Sequence, residues 1–514
     1  MSQILHIFRK DVRHLWIEIL ASLVILATYI WKTIHNWSVI DSNPDVPVVL
    51  QNTISALVPL SWCFLIVRAV QNESLMGDRQ FWITRPYEWP KLMAAKAFFA
   101  EMFVGFPLFV TGVILLAAGG FSPIRYISGL LWIQLFLIMA VILPTAAVGA
   151  IASTIVQAVL WVLAIALYAA GTAYLSSVIP GSDMPLATDF AGTSSAVLCV
   201  GLSIAVLLIQ YARRQIRKSL VLMLGAAVIV PLVVVATPYE RLADRGFPPV
   251  KSGDVPPAQL AMLVEVPGVD AGMAPPFQGK DVDVDFPLQV SGVAPGYIVV
   301  EKGKRAAIEA PDGRRWASHW ESEGGQIWPG QPRSSVIVSI PRKFFEGVHA
   351  TPVNVQVSLA LSLYRETDSR KIVAQAGEFQ VPGVGRCWID VQRTWDNSVI
   401  TCHSPLQTPS LTARMETPDS TCPPSDNVAQ DPALTKYSWE GNDETSPDFQ
   451  INPIQDLTMS LQSWADESRK KASPGICPGT PLTISVPELT QNARVEVGLS
   501  GIHLQDYVPR FTRF

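Results

Sequence analysis

The pattern of apolar and polar positions changes character at Pro238. Before it, long apolar runs alternate with short polar connections. A hydrocarbon layer of about 30 Å takes roughly 20 apolar residues as a helix. Seven segments meet that length: residues 15–31, 51–70, 97–119, 127–150, 154–178, 193–211 and 219–238. The stretch 127–178 carries no charge. As one helix it would be about 78 Å long, too long for one crossing, so Gly149, Ser153 and Thr154 are read as a turn. Ahead of the first run, Ile4, Leu5, Phe8 and Val12 alternate at helical spacing with Arg9, Lys10 and Arg13, which predicts an amphipathic helix over 1–14.

Beyond Pro238 the period drops to two. Residues 281–286 (Asp-Val-Asp-Val-Asp-Phe), 353–359 and 493–497 all alternate, as half-buried strands do. Pro311-Asp312-Gly313 is a turn signature between two such strands. The expected fold is an α-helical polytopic membrane domain of about seven transmembrane helices. An all-β, sandwich-like extracytoplasmic region follows it. Residues 281–381 are expected to form one β domain and 386–514 a second, cysteine-containing one. The Pro/Gly-rich stretch within 239–280 reads as a linker.

Composition narrows the function classes. Of 514 residues, 49% are hydrophobic and 16% charged. That excludes a disordered chain, a coiled coil and a small disulfide scaffold. It is also far from a soluble enzyme, in which about 25% are charged. Charge is unevenly spread. Residues 1–238 hold 14 Lys/Arg against 10 Asp/Glu, leaving 39 − 14 = 25 against 43 − 10 = 33 in the remainder. Twelve of those 14 basic residues fall on one side of an alternating seven-span topology: Arg9, Lys10 and Arg13; Arg68, Arg79, Arg85, Lys91 and Lys96; Arg213, Arg214, Arg217 and Lys218. Basic residues mark the cytoplasmic side. The N-terminus is therefore expected in the cytoplasm and residues 239–514 in the periplasm or outside. The first span exits through Tyr29-Ile30-Trp31-Lys32, without the small residues of a cleavage site, and reads as a signal anchor.

The cysteines bear on sidedness independently. Cys63 and Cys199 lie in spans, whereas Cys387, Cys402, Cys422 and Cys477 lie beyond Pro238. Disulfides persist outside the cytoplasm. Four cysteines allow three pairings. Cys387–Cys402 and Cys422–Cys477 are favoured, the first clasping two strand-like runs around Asp396-Asn397-Ser398. Four free thiols is the alternative, and no Cys-x-x-Cys supports zinc.

Catalytic chemistry finds no motif. His319, His349, His403 and His503 lack metal spacing, and neither Gly-x-Ser-x-Gly nor Gly-x-x-x-x-Gly-Lys-Ser/Thr occurs. No catalytic, cofactor-binding or metal site is expected in this chain, nor a nucleic-acid partner. Trp316, Trp320 and Trp328 with Arg314 and Arg315 suggest a binding surface, but core tryptophans under a loop are the better reading. Glu18 and Glu101, near cytoplasmic span ends, are expected to pair with Arg13, Arg68 or Lys96. Pro59, Pro107, Pro144 and Pro231 are candidate kinks.

The second connection is the most unusual stretch. It carries Glu73, Gly77, Asp78, Arg79, Phe81, Trp82, Arg85 and Pro86, then Tyr87, Glu88, Trp89, Pro90 and Lys91. Arg85 before Pro86 is disfavoured in a helix, and Pro90 suits a first helical turn. Two short helices lying along a membrane face are expected, with Trp82, Tyr87 and Trp89 at headgroup level. An interfacial anchor accounts for that much; a docking element for a cytoplasmic partner accounts for the charges as well.

This loop, run on through Ala95-Lys96 and preceded by an amphipathic N-terminal helix, resembles the permease subunits of ATP-binding-cassette transporters of the type-2 exporter class. The resemblance covers about residues 1–218. It implies that Glu73, Gly77, Asp78, Arg79, Phe81, Trp82, Arg85 and Pro86 form a coupling helix against a separate ATPase. That subunit would bind ATP and magnesium. A second permease subunit, a homodimer partner or a related chain, and membrane lipid complete the implied partners. Six spans are usual in the class; here a seventh precedes residues 239–514. The function expected is export of an unidentified, amphipathic substrate across a bacterial inner membrane. The alternative is a membrane-anchored extracytoplasmic binding or sensory protein.

Overall fold

The computed structural model describes residues 2–36, 45–72, 88–179, 181–182, 184–250, 254–255, 258–262, 281–291, 296–322, 326–327, 333–373, 375, 378–381, 384–390, 399–405, 412–417, 436–441, 452–460, 479 and 481–508. Two compact units emerge. The first takes Met1–Tyr174, Gly192–Val234 and Arg370–Ile484; the second takes Leu175–Ala191, Val235–Ser369 and Ser485–Phe514.

The first unit is built on helices. Helix α1, Ser2–His14, is amphipathic. Then come α2 (Trp16–Asn36), α3 (Asp45–Gln71), α4 (Trp89–Ala118), α5 (Ile127–Ile151), α6 (Ile155–Ser177), α7 (Pro185–Arg213) and α8 (Ile216–Ala236). Among the described residues, seven helices, α2 to α8, are long and apolar enough to cross a membrane. Their outward faces are apolar too: Leu167 is 75%, Val156 70% and Val221 69% exposed. The α5–α6 break falls where expected, with Ala152 extended and Thr154 Oγ1 accepting from Gln157 N.

Two helices change pitch at proline. A π turn over Glu101–Gly105 precedes Pro107 in α4, and another over Ile138–Ile142 precedes Pro144 in α5. Proline has no N–H to donate, and its ring crowds the carbonyl four residues earlier. Widening the preceding turn relieves that crowding. Pro59 and Pro231 sit inside α3 and α8. One expectation is corrected here. The helix from Trp89 does not end as a separate surface element; it runs on to Ala118. Residues 91–106 contain no proline and only Gly105 as a weak former, so nothing terminates it.

The second unit holds most of the β structure. Strands β1 (Asp254–Val255), β2 (Ala258–Met262), β3 (Asp281–Ser291) and β8 (Arg333–Pro341) form one antiparallel sheet in that order. In the other sheet β9 (Val353–Val373) lies between β16 (Pro481–Ile502) and β4 (Tyr297–Glu309). The short strands β5 (Arg315–Ala317), β6 (Glu321–Ser322) and β7 (Gln326–Ile327) pair along β4. The Pro311-Asp312-Gly313 turn joins β4 to β5, with Gly313 at φ 87°, a backbone that glycine adopts without steric cost.

Alternation is realised as burial. Val284 and Phe286 of β3, Val355, Val357 and Leu359 of β9, and Val495 and Val497 of β16 meet in one apolar cluster fed by both sheets. Here the domain division differs from expectation. Residues 485–508 fall in the unit that holds 281–369, and the buried face of β16 is covered by the core of β3, β8 and β9. Nor is 239–280 a plain linker: Tyr239–Gly246 is a helix, α9, and β1 and β2 extend the first sheet.

The first unit also carries β10 (Phe379–Val381), β11 (Gly385–Asp390), β12 (Val399–Pro405) and β15 (Ile454–Ser460) as a four-stranded antiparallel sheet, and an antiparallel β13–β14 pair (Thr412–Thr417, Lys436–Gly441). A short helix α10 (Arg342–Val348) follows β8.

Candidate functional site

The amphipathic stripe of α1 contains an anomaly. Ile7, Asp11 and Leu15, at helical i, i+4 spacing, are all 0% exposed. A carboxylate at an apolar stripe position must be paired, and Asp11 is. Its Oδ2 accepts from Lys96 Nζ at 2.7 Å, with the two side chains 0% and 5% exposed. Its Oδ1 accepts from Asn72 Nδ2 at 2.8 Å. Asn72 follows the last turn of α3, and Lys96 lies two turns into α4. The residues between those helices are the second connection. Asp11 thus ties α1 to both anchoring points of that loop.

Apolar packing sets the same junction. Ile7 buries against Val70 of α3, Leu92 and Ala95 of α4, Ile151 of α5 and Tyr211 of α7. Phe8 stacks on Phe103 at 5.9 Å and meets Phe98 and Phe99 at 4.9 and 6.3 Å. A second ion pair sits one level away, Arg68 to Glu18 at 3.5 Å, as the sequence led one to expect. Lys96 pairs with Asp11 rather than with a glutamate, and Glu101 is exposed. The stripe Ile4-Ile7-Phe8-Asp11-Val12-Leu15 held the signal for Asp11: a lone acid on the apolar side of an otherwise basic helix.

The proposed coupling residues Glu73, Gly77, Asp78, Arg79, Phe81, Trp82, Arg85 and Pro86 lie outside the described residues, as do Cys422, Cys477 and Trp328. Cys387 and Cys402 form a disulfide between directly opposed positions of β11 and β12. Trp320 is a core residue, 1% exposed, and Trp316 packs on the β core beside Phe344. Among the described residues no group of three or more His, Cys, Asp or Glu could hold a metal ion.

Two of the connections between helices meet β structure or the α9 segment, each within its own unit. Within the first unit, Phe121 in the α4–α5 connection packs with Ile454 of β15, so β15 and α1 occupy opposite ends of α4. Within the second, Ile179 and Met184 of the α6–α7 connection pack with Tyr239, Ala243 and Phe247 of the α9 segment and with Trp320. Carboxylates of α9 fasten this contact. Glu240 Oε1 accepts from Trp320 N at 3.2 Å, and Asp244 Oδ1 accepts from Trp320 Nε1 at 3.3 Å and from Arg494 Nη1. Arg305 lies 5.0 Å over the Trp320 ring and 3.6 Å from Glu240 Oε2.

No family model matches the chain, and no curated protein is similar to it. Among solved structures, red sea bream transglutaminase is similar over 48% of this chain at 9% identity with a TM-score of 0.14. The chain spans 31% of that structure's length.

Proposed function

We propose that the chain is the permease subunit of a type-2 ATP-binding-cassette transporter, residing in a bacterial inner membrane. It couples a separate cytoplasmic ATPase, which binds ATP and magnesium, to export of an amphipathic substrate. One observation carries the reading: Asp11 of an amphipathic helix bonds to both Asn72 and Lys96. These residues bracket the connection that holds Glu73, Asp78, Arg79, Trp82 and Arg85. A loop meant to transmit force from a partner needs rigid footings, and a buried, fully paired carboxylate supplies them. Energy enters at that loop and reaches the spans through α3 and α4.

The remaining features support the same assembly. Spans 127–178, 193–211 and 219–238 carry no charge, which suits an apolar or amphipathic cargo better than an ion path. The β region is extracytoplasmic, and its part in the second unit is sandwich-like, two sheets contributing to one core. Within the first unit, β15 packs at the end of α4 opposite α1, which supports an extracytoplasmic β15 with α1 on the cytoplasmic side. A second permease subunit, identical or related, completes the membrane part.

The test is co-purification. Full-length protein expressed with the ATP-binding-cassette ATPases of its own host should retain one of them. Arg85→Glu and Trp82→Ala should release it while the permease still fractionates with membranes. Failure of every host ATPase to co-purify would sink the reading.

A further inference from the structure

We propose that the groove between α7 and α8 is a binding site for an anionic phospholipid of the cytoplasmic leaflet. The inference rests on the membrane reading above.

The groove measures about 600 Å³ and is lined almost wholly by apolar side chains and glycine. Gly201 and Ala205 of α7 and Gly225 and Ala226 of α8 line it. A Cβ built on Gly201 or Gly225 meets no atom within 4 Å. The small residues thus leave open space where helix pairs in lipid ordinarily close up. An acyl chain is the shape and chemistry that fills such a slot. Few other ligands suit a lining without hydrogen-bonding groups.

Charge fixes the other end of the occupant. Arg217 and Lys218 line the groove at the start of α8. Arg213 ends α7, and Arg214, with a left-handed backbone at φ 51°, turns the chain straight into α8. Four cations fall within six residues. Arg213, Arg217 and Lys218 are exposed, and none has an ion-pair partner among the described residues. A phosphate at Arg217 and Lys218, with its chain between Gly201 and Gly225, satisfies both ends at once. Cations at the cytoplasmic surface each favour anionic headgroups. A zwitterionic lipid would fill the slot but leave the cations uncompensated.

Full-length protein is extracted from membranes in detergent and stripped of lipid. It is then titrated with dioleoylphosphatidylglycerol, with dioleoylphosphatidylcholine, or with inorganic phosphate, and adducts are counted by native mass spectrometry. The glycerol lipid should bind about tenfold or more tightly than the choline lipid, given two cations at its headgroup. Phosphate at the same concentration should not compete. Arg217→Ser with Lys218→Ser should abolish the preference. Gly225→Leu, and separately Gly201→Leu, should weaken both lipids while helix content stays constant, since each side chain enters open space. Equal affinity for the two lipids in wild type would overturn the site. So would wild-type lipid binding in all these variants. Competition by phosphate alone would overturn it, because the source would then be a soluble anion. Conversion of a dimer to a monomer by Gly225→Leu with lipid binding intact would assign the groove to a second copy instead. Recovery of the wild-type protein in the soluble fraction without detergent would fail the membrane reading itself, and is scored before any lipid is added.

Discussion

Asp11 and Lys96 are 85 residues apart in sequence and form a 2.7 Å ion pair with both side chains buried. A buried pair gains little over an apolar replacement, but breaking it strands a charge. Asp11→Ala leaves Lys96 without this partner and frees the Asn72 amide. It should cost about 3–5 kcal/mol of stability, read as a fall in the thermal midpoint in detergent. The double variant Asp11→Leu, Lys96→Met should recover most of the loss yet still uncouple ATPase stimulation. Recovery of both stability and coupling would show that the pair has no role beyond packing.

Gln134 of α5 bonds across to the backbone of α4. With its amide oriented to satisfy both groups, Nε2 donates to Gly105 O at 3.1 Å and Oε1 accepts from Phe109 N at 3.1 Å. These backbone groups belong to the turn that holds Pro107, which has no N–H to add to the ladder. Gln134→Leu removes two interhelical hydrogen bonds and should cost about 1–3 kcal/mol. Hydrogen exchange at Phe109 should accelerate while exchange at Val58 in α3 does not.

The Cys387–Cys402 bridge closes a separation of 15 residues. Replacing both cysteines with serine should lower stability by about 3 kcal/mol. Thiol labelling of denatured protein should find both blocked until a reductant is added. Labelling without reductant would contradict the bridge and the oxidising compartment together.

Trp320 is the keystone of the α9 contact, giving two hydrogen bonds to Glu240 and Asp244 under the Arg305 cation. Trp320→Ala should cost about 3–5 kcal/mol, as large aromatic truncations do. Limited proteolysis should then cut within 239–250. Trp320→Phe should keep most of the packing and lose only the Nε1 bond.

Sidedness admits a direct check. A C-terminal alkaline phosphatase fusion should be active, and a fluorescent protein that matures only in the cytoplasm should stay dark there. The reverse pair of results would place the β region with α1 and undo the proposed export geometry.

Much of this protein was legible in its sequence. Seven apolar runs became seven long helices, and the break at 152–154 fell at Ser153 and Thr154, because apolar length and local turn formers act over a few residues. Period-two alternation around Val284, Val357 and Val495 gave strands with their apolar faces inward. The Cys387–Cys402 pairing followed from two strands about a short turn. What the sequence left open depends on partners distant along the chain. Nothing local says that β16 returns to the core of β3 and β9. A strand's inward face records only that it needs cover, not which sheet provides it. The run from Trp89 into α4 was legible too, since nothing over 91–106 ends a helix; that Ile7 and Phe8 pack against it was not. Asp11 could be recognised as misplaced on an apolar stripe. Its partners Asn72 and Lys96 lie 61 and 85 residues away, and only the fold brings them within hydrogen-bonding distance.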